Sequence, residues 1–446
     1  MGLCKMRILQ QTHIFRKKGT FFMEKQASGI LWGDICYSTD KDTLITRENA
    51  YLVWEDGKIA GVYDRLPEQF RAYPVEDCRG KLIIPGLVDL HIHAPQYPFR
   101  GLKMDLPLLP WLNTNAFPEE AKYQDPDYAR KAYEIFVADM KKSGTTRACI
   151  FASLHLPATK ILMELLEEAG LETYVGKVNM DRNCPDYLRE GEDAPAVTEA
   201  WLEETAGRFS HVKPILTPRF IPACSDSLME ALGNIQKKWK LPVQSHLSEN
   251  PDEIALVQEL HPQSRFYGEA YDRFGLFGGD APTVMAHCVH CPPEELEMMK
   301  AQGVFVAHCP QSNTNLCSGA SPVRQLLEAG LQVGLGSDIA GGASLSIFRA
   351  MTDAIHTSKL RAALLDRSLA PLTLEEAFFL GTLGGGRFFG KVGSFQEGFE
   401  ADVLVLDESK IPHPQPLTLR ERLERYVYLA GDDWITKKYV KGRCVC

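Results

Sequence analysis

Along the middle of the chain, short apolar runs alternate with longer stretches of helical periodicity. The apolar runs are Leu82–Leu90, Arg147–Phe151, Glu172–Val178, Pro214–Thr217, Leu241–His246, Thr283–His287, Val304–His308 and Gln332–Ser337. Ala129–Lys142, Thr159–Ala169, Ser225–Lys238 and Pro293–Gln302 are among the helical stretches between them. This alternation predicts an α/β protein built as a (β/α)8 TIM barrel. A doubly wound open sheet is the competing architecture, but no glycine-rich fingerprint follows the first strand.

Before residue 85 the texture changes to short β-segments and turns. Tyr51–Trp54 and Ile59–Tyr63 flank Asp56-Gly57, a hairpin signal. Ala401–Leu406 and Trp434–Gly442 have the same texture, so both chain ends are expected to meet in one small β-sandwich. The expected division is a sandwich from residues 23–84 and 372–446, a catalytic barrel over 85–371, and a leader over 1–22. That leader is basic and has no continuous apolar core. It reads as a disordered segment or as an upstream start ahead of Met23.

At 446 residues and 45% hydrophobic, the chain can bury a large core. Its net charge of -9 argues against wrapping nucleic acid and favours a small-molecule partner. No run reaches the roughly 20 apolar residues needed to span a bilayer. Its 12 cysteines lack the regular spacing of a disulfide scaffold, and a reducing cytoplasm is the simpler reading. Cys288-x-x-Cys291 stands without a second such pair, so its cysteines are read as core filler.

Chemistry concentrates where the predicted strands end. His91 and His93 close the first strand two residues apart, so both point to one face. His246 and His287 close the fifth and sixth, and Asp338 follows the eighth. Barrel enzymes place their chemistry on that face. A set of imidazoles with one carboxylate suits zinc or iron and leaves room for an activated water. Glu249, three residues after His246, can shuttle protons there. His155 and His308 follow other strands and are further candidates for the pocket wall, while His261 reads as a surface or helix residue.

Several segments together carry a family resemblance. Pro85–His93, Ser245-His246, Ala286-His287 and Gly336-Ser337-Asp338 resemble the amidohydrolase superfamily of metal-dependent barrels. His93–Tyr97, Trp111-Leu112, Phe117–Glu120, Pro218–Phe220, Ser245–Asn250 and His308–Asn313 resemble its deaminases more narrowly. The resemblance implies that His91, His93, His246 and Asp338 hold one zinc, iron remaining an alternative. It also implies that His287 hydrogen-bonds the water, that Glu249 is the proton shuttle and that the enzyme is a homodimer. The implied reaction is hydrolytic deamination of guanine to xanthine and ammonia. Another amino-substituted heterocycle, such as 8-oxoguanine, a pterin or a triazine, is the alternative substrate, and a non-catalytic scaffold the alternative class.

The chemistry of a purine edge supports that expectation separately. Guanine offers adjacent O6 and N7 acceptors, which suit the planar fork of Arg219 unless that arginine is tied up in a structural ion pair. Gln96 offers a donor and an acceptor, and Trp111 and Phe220 can wall a flat ring. Asn113–Ala116 departs from the family pattern, so the pocket rim is expected to differ there.

Overall fold

The computed structural model describes residues 27–446, and the expected leader over 1–22 lies outside them. The strands anticipated for a barrel form two four-stranded parallel sheets. The first contains Leu87–His93, Thr145–Phe151, Glu172–Gly176 and Val212–Pro214. The second contains Val243–Leu247, Thr283–His287, Phe305–His308 and Gln332–Leu335. Helices separate successive strands, so the β/α alternation read from the pattern is present.

The two sheets meet at two seams. One carries a single bridge, Leu216 to Val243, with Gln244 N donating to Leu216 O at 3.0 Å. At the other, Asp338 N donates to His91 O at 2.8 Å and His93 N donates to Ile339 O at 3.1 Å. Among the described residues no continuous ladder joins the sheets, so the closed ring expected from the alternation is not what the strand pairing draws. Proline accounts for the first seam, because Pro214, Pro218 and Pro242 each withhold the N–H that a ladder needs.

The chain ends also differ from expectation. Seven strands from both ends pair as one sheet, in the spatial order Arg443–Cys444, Ile435–Val440, Val403–Leu406, Val75–Pro85, Gly29–Ser38, Leu44–Glu55 and Lys58–Tyr63. The expected sandwich of two sheets is therefore not what the hydrogen bonds define. Asp56 (φ 48°) and Gly57 (φ 75°) make the predicted hairpin turn, where positive φ at both positions favours this dipeptide. The segment after the helix Leu374–Phe379 packs on the parallel strands Gln332–Leu335 and Leu87–His93. Gly385 Cα would lie 2.7 Å from any Cβ at Gly334, so a side chain there would break the approach.

Two buried cations join the end sheet to the barrel strands. Arg147, 3% exposed, donates to Asp402 at 2.6 Å and to Glu400 at 2.5 Å. Lys438 Nζ donates to the carbonyls of Met140, Ser143 and Thr145 at 2.9–3.0 Å, stitching the last long strand to the start of Thr145–Phe151. Among the described residues no helix is long and apolar enough to cross a membrane.

Candidate metal centre and active site

Strand geometry delivers the first two side chains. His91 and His93 alternate with buried Leu90 and Ile92 on a fully buried strand, so both rings face the same end of the sheets. His93 Nε2 lies 3.1 Å from His246 Nε2, and Asp338 Oδ1 lies 3.2 Å from His91 Nε2 and 3.7 Å from His93 Nε2. His287 Nε2 stands 3.8 Å from Asp338 Oδ2. His91, His93, His287 and Asp338 are buried, and His246 is half-buried.

The backbone brings the two seam strands together behind this cluster. Asp89 Oδ1 accepts from His91 N at 3.1 Å and from Ser337 N at 3.0 Å, tying the first ligand-bearing strand to the segment that carries Asp338. Burial pushes the Asp89 carboxyl up to about 7.

Donor chemistry tests whether a metal fits. His246 Nδ1 lies 2.6 Å from Arg219 O, and a carbonyl only accepts, so Nδ1 carries the proton and Nε2 presents its lone pair to the cluster. His287 Nδ1 faces Asn313 Oδ1 at 2.9 Å, which sets the same tautomer. His91 Nε2 is buried and makes no hydrogen bond. Burial, reinforced by the neighbouring imidazoles, holds His93 and His246 well below the ordinary histidine value. For Asp338 burial works the other way, but the surrounding rings, His91 first, outweigh it and keep the carboxyl well below its usual range. Neutral imidazole lone pairs this close to each other and to a carboxylate repel unless a cation sits among them, so this donor set suits a metal.

Glu249 is placed by its own local sequence. The next residue, Asn250, caps the helix Pro251–Leu260 in a capping box with Glu253, whose Oε2 accepts from Glu249 N at 3.2 Å. Ser318 Oγ donates to Glu249 Oε1 at 3.0 Å, leaving Oε2 to face His287 Nε2 at 3.4 Å. Burial pushes the Glu249 carboxyl up against the attraction of His287. Burial equally disfavours a charged His287, but Glu249 and Asp338 outweigh it and raise that ring's affinity for a proton.

One cavity is lined by every predicted site residue except His91: His93, Gln96, Trp111, Arg219, Phe220, His246, Glu249, His287 and Asp338. His91 reaches the cluster through Asp338 instead. Phe220 presents its ring near His246, with centroids 6.3 Å apart, and Trp111 packs on Phe99. Gln96 Oε1 accepts from Ala340 N at 3.0 Å. Arg219 lines the cavity and is at the same time paired with Glu120. Leu112, at the start of the atypical 113–116 segment, lines the rim.

His155 and His308 do not line this cavity, contrary to expectation. His308 is packed away, and burial pushes its ring down to about 3. His261, expected at the surface or on a helix, is 1% exposed where the helix Pro251–Leu260 ends. Cys288 is buried, in line with core filler, whereas Cys291 is only half-buried, and neither is in a disulfide. Three residues close to the site went unassigned from sequence. Glu120 and Asn313 sit inside the quoted Phe117–Glu120 and His308–Asn313 motifs, whereas Ser318 had no signal in its surroundings.

A metal-suited cluster at the ends of parallel strands, with a buried carboxyl beside it, defines a metal-dependent hydrolase class. The Amidohydrolase family model matches residues 82–445, and the chain belongs to that family. Within it the similarity runs to guanine deaminases. The guanine deaminase of Dictyostelium discoideum is 39% identical over 82% of this chain and 83% of its own length. That of Escherichia coli K12 is 33% identical over 88% of this chain and 87% of its own. The crystal structure of guanine deaminase from C. acetobutylicum, with guanine bound in the active site, superposes with a TM-score of 0.91 at 47% identity, covering 94% of this chain and 100% of that one.

Proposed function

We propose that this protein is a metal-dependent aminohydrolase that converts guanine to xanthine and ammonia. The observation that carries the reading is that one cavity is lined by His93, His246, His287 and Asp338 of the histidine–aspartate cluster, by a buried carboxyl beside it, and by Gln96 and Arg219, which suit a purine edge. The guanine deaminase relatives support the same substrate.

His91, His93, His246 and Asp338 would hold one zinc, and their nitrogen and oxygen atoms suit iron as well. A bound metal there supplies a nucleophile from water at neutral pH. Arg219 directs its donor fork at O6 and N7. Gln96 meets a mixed donor and acceptor edge, while Phe220 and Trp111 wall the ring and exclude water. Asp338 accepts the proton released by water as its oxygen bonds to C2. Glu249 gives its proton to the ring nitrogen next to C2, takes up the proton left on the added oxygen and passes it to the exocyclic amine, after which the proton held by Asp338 resets Glu249. The C2–N bond breaks, ammonia leaves, and C2 keeps the oxygen as the new carbonyl. His287 steadies the attacking oxygen through Nε2, the nitrogen that Asn313 leaves free.

We read the enzyme as a cytoplasmic homodimer with one zinc per chain. The unpaired cysteines of the described residues support the reducing compartment. Incubating purified protein with guanine and following xanthine and ammonia tests the activity. No xanthine from guanine, alongside turnover of another amino-heterocycle, overturns the substrate.

A further inference from the structure

Two consecutive glutamates on the short helix Phe117–Ala121 take opposite duties. Glu119 is held by Tyr128 and by Lys122, the latter at 2.6 Å. Glu120 turns towards the cavity but stops short of its wall, behind two residues that do line it. Its Oε1 accepts from Gln96 Nε2 at 2.9 Å and from Arg219 Nη2 at 3.0 Å, and its Oε2 accepts from Arg219 Nη1 at 2.5 Å. The same helix supplies Phe117, whose ring centre lies 5.0 Å from the guanidinium carbon of Arg219. All three polar side chains are buried, with Glu120 6%, Arg219 2% and Gln96 2% exposed.

We infer that Glu120 is the positioning residue that sets which ring this pocket accepts, by locking the Gln96 amide in one orientation and holding the Arg219 fork. The inference rests on the guanine reading of the same site. Ala340 N must donate and a carboxylate can only accept, so both ends of the Gln96 amide favour one orientation. The reverse orientation would set the amide NH2 against the Ala340 N–H and the amide oxygen against a carboxylate. One Nε2 hydrogen and one Oε1 lone pair are then left for a ligand, in fixed directions. Arg219 likewise commits one hydrogen from each terminal nitrogen to Glu120, and the rest of its donor fork faces the ring. A glutamine at 120 would keep the shape but leave only the Ala340 N–H to oppose a flip of the Gln96 amide.

The test measures kcat and KM of the wild type, Glu120→Gln, Glu120→Asp, Gln96→Ala and the double variant E120Q/Q96A. The substrates are guanine and 2-aminopurine, which lacks O6. Glu120→Gln is expected to raise KM for guanine about tenfold or more, with kcat changed less than about threefold, and to narrow the preference over 2-aminopurine. Its cost should shrink in the Gln96→Ala background, because the effect runs through Gln96. Thermal unfolding shows whether each variant folds. If Glu120→Gln does not, Glu120→Asp keeps the charge for Arg219 while drawing away from Gln96, and should show a smaller rise of the same kind. Full additivity, an unchanged preference, or a fall in kcat at constant KM overturns the inference. A wild type that ignores guanine overturns the proposed function instead, and the same variants are then compared on the ring it does use.

Discussion

His246 donates its Nδ1 proton to the backbone carbonyl of Arg219 across 2.6 Å, so a residue whose side chain lines the cavity also fixes, with its backbone, the tautomer of a ring in the metal-suited cluster. The strand-end segment Thr217–Phe220 is thereby structural support for the metal cluster as well as part of the pocket wall.

Glu249→Gln removes the proton carrier and keeps the shape, including an oxygen for Ser318. Turnover is expected to fall by roughly 10²–10⁴-fold in kcat, with KM and metal content close to wild type. Steady-state kinetics with metal analysis decides this, and preserved turnover would remove Glu249 from the chemistry.

Metal removal should abolish activity. Dialysis against a chelator is expected to leave a protein inert towards guanine, and one equivalent of zinc per chain to restore it, because the two overlapping groups of candidate ligands share His91. A requirement for two equivalents would point instead to a hydrolase of cyclic amides. Asp338→Ala is expected to lose both bound metal and turnover.

Asp89 gives a stability profile with a definite sign. Its carboxyl titrates near 3.8 in the unfolded chain and at about 7 in the fold, where burial favours the protonated form. Between those values the folded state holds a proton that the unfolded state has lost, so stability declines as pH rises through that window. Asp89→Asn keeps an oxygen for the amides of His91 and Ser337 and should flatten the decline by a few kcal/mol. Denaturant midpoints measured between pH 4 and 8 give the slope, and equal slopes for the two proteins would refute the assignment.

Lys438→Met is expected to destabilise by about 2–4 kcal/mol, since three buried carbonyls lose their donor together. Equilibrium unfolding measures it. Because Lys438 joins the end sheet to the barrel strands, kcat of the folded fraction should stay near wild type.

The pattern of the chain determined the strand and helix alternation, the Asp56-Gly57 hairpin, and the site residues that sit at strand ends. His91 and His93 were legible because a strand repeats every two residues, a rule that holds wherever the strand lies in the fold. Glu249 was legible for a related reason, since its distance from His246 and the capping box that follows are local.

Tertiary structure decided the rest. Glu120 meets Arg219 from 99 positions away, and Lys438 reaches carbonyls 293–298 positions away. Neither segment carries a local mark of its partner. The seams between the two parallel sheets and the single sheet made from both ends depend on which backbone groups find each other in space. Periodicity fixes the direction in which a side chain points from its own element, whereas a buried charge pair depends on which elements pack together, and that is set only when the chain closes on itself.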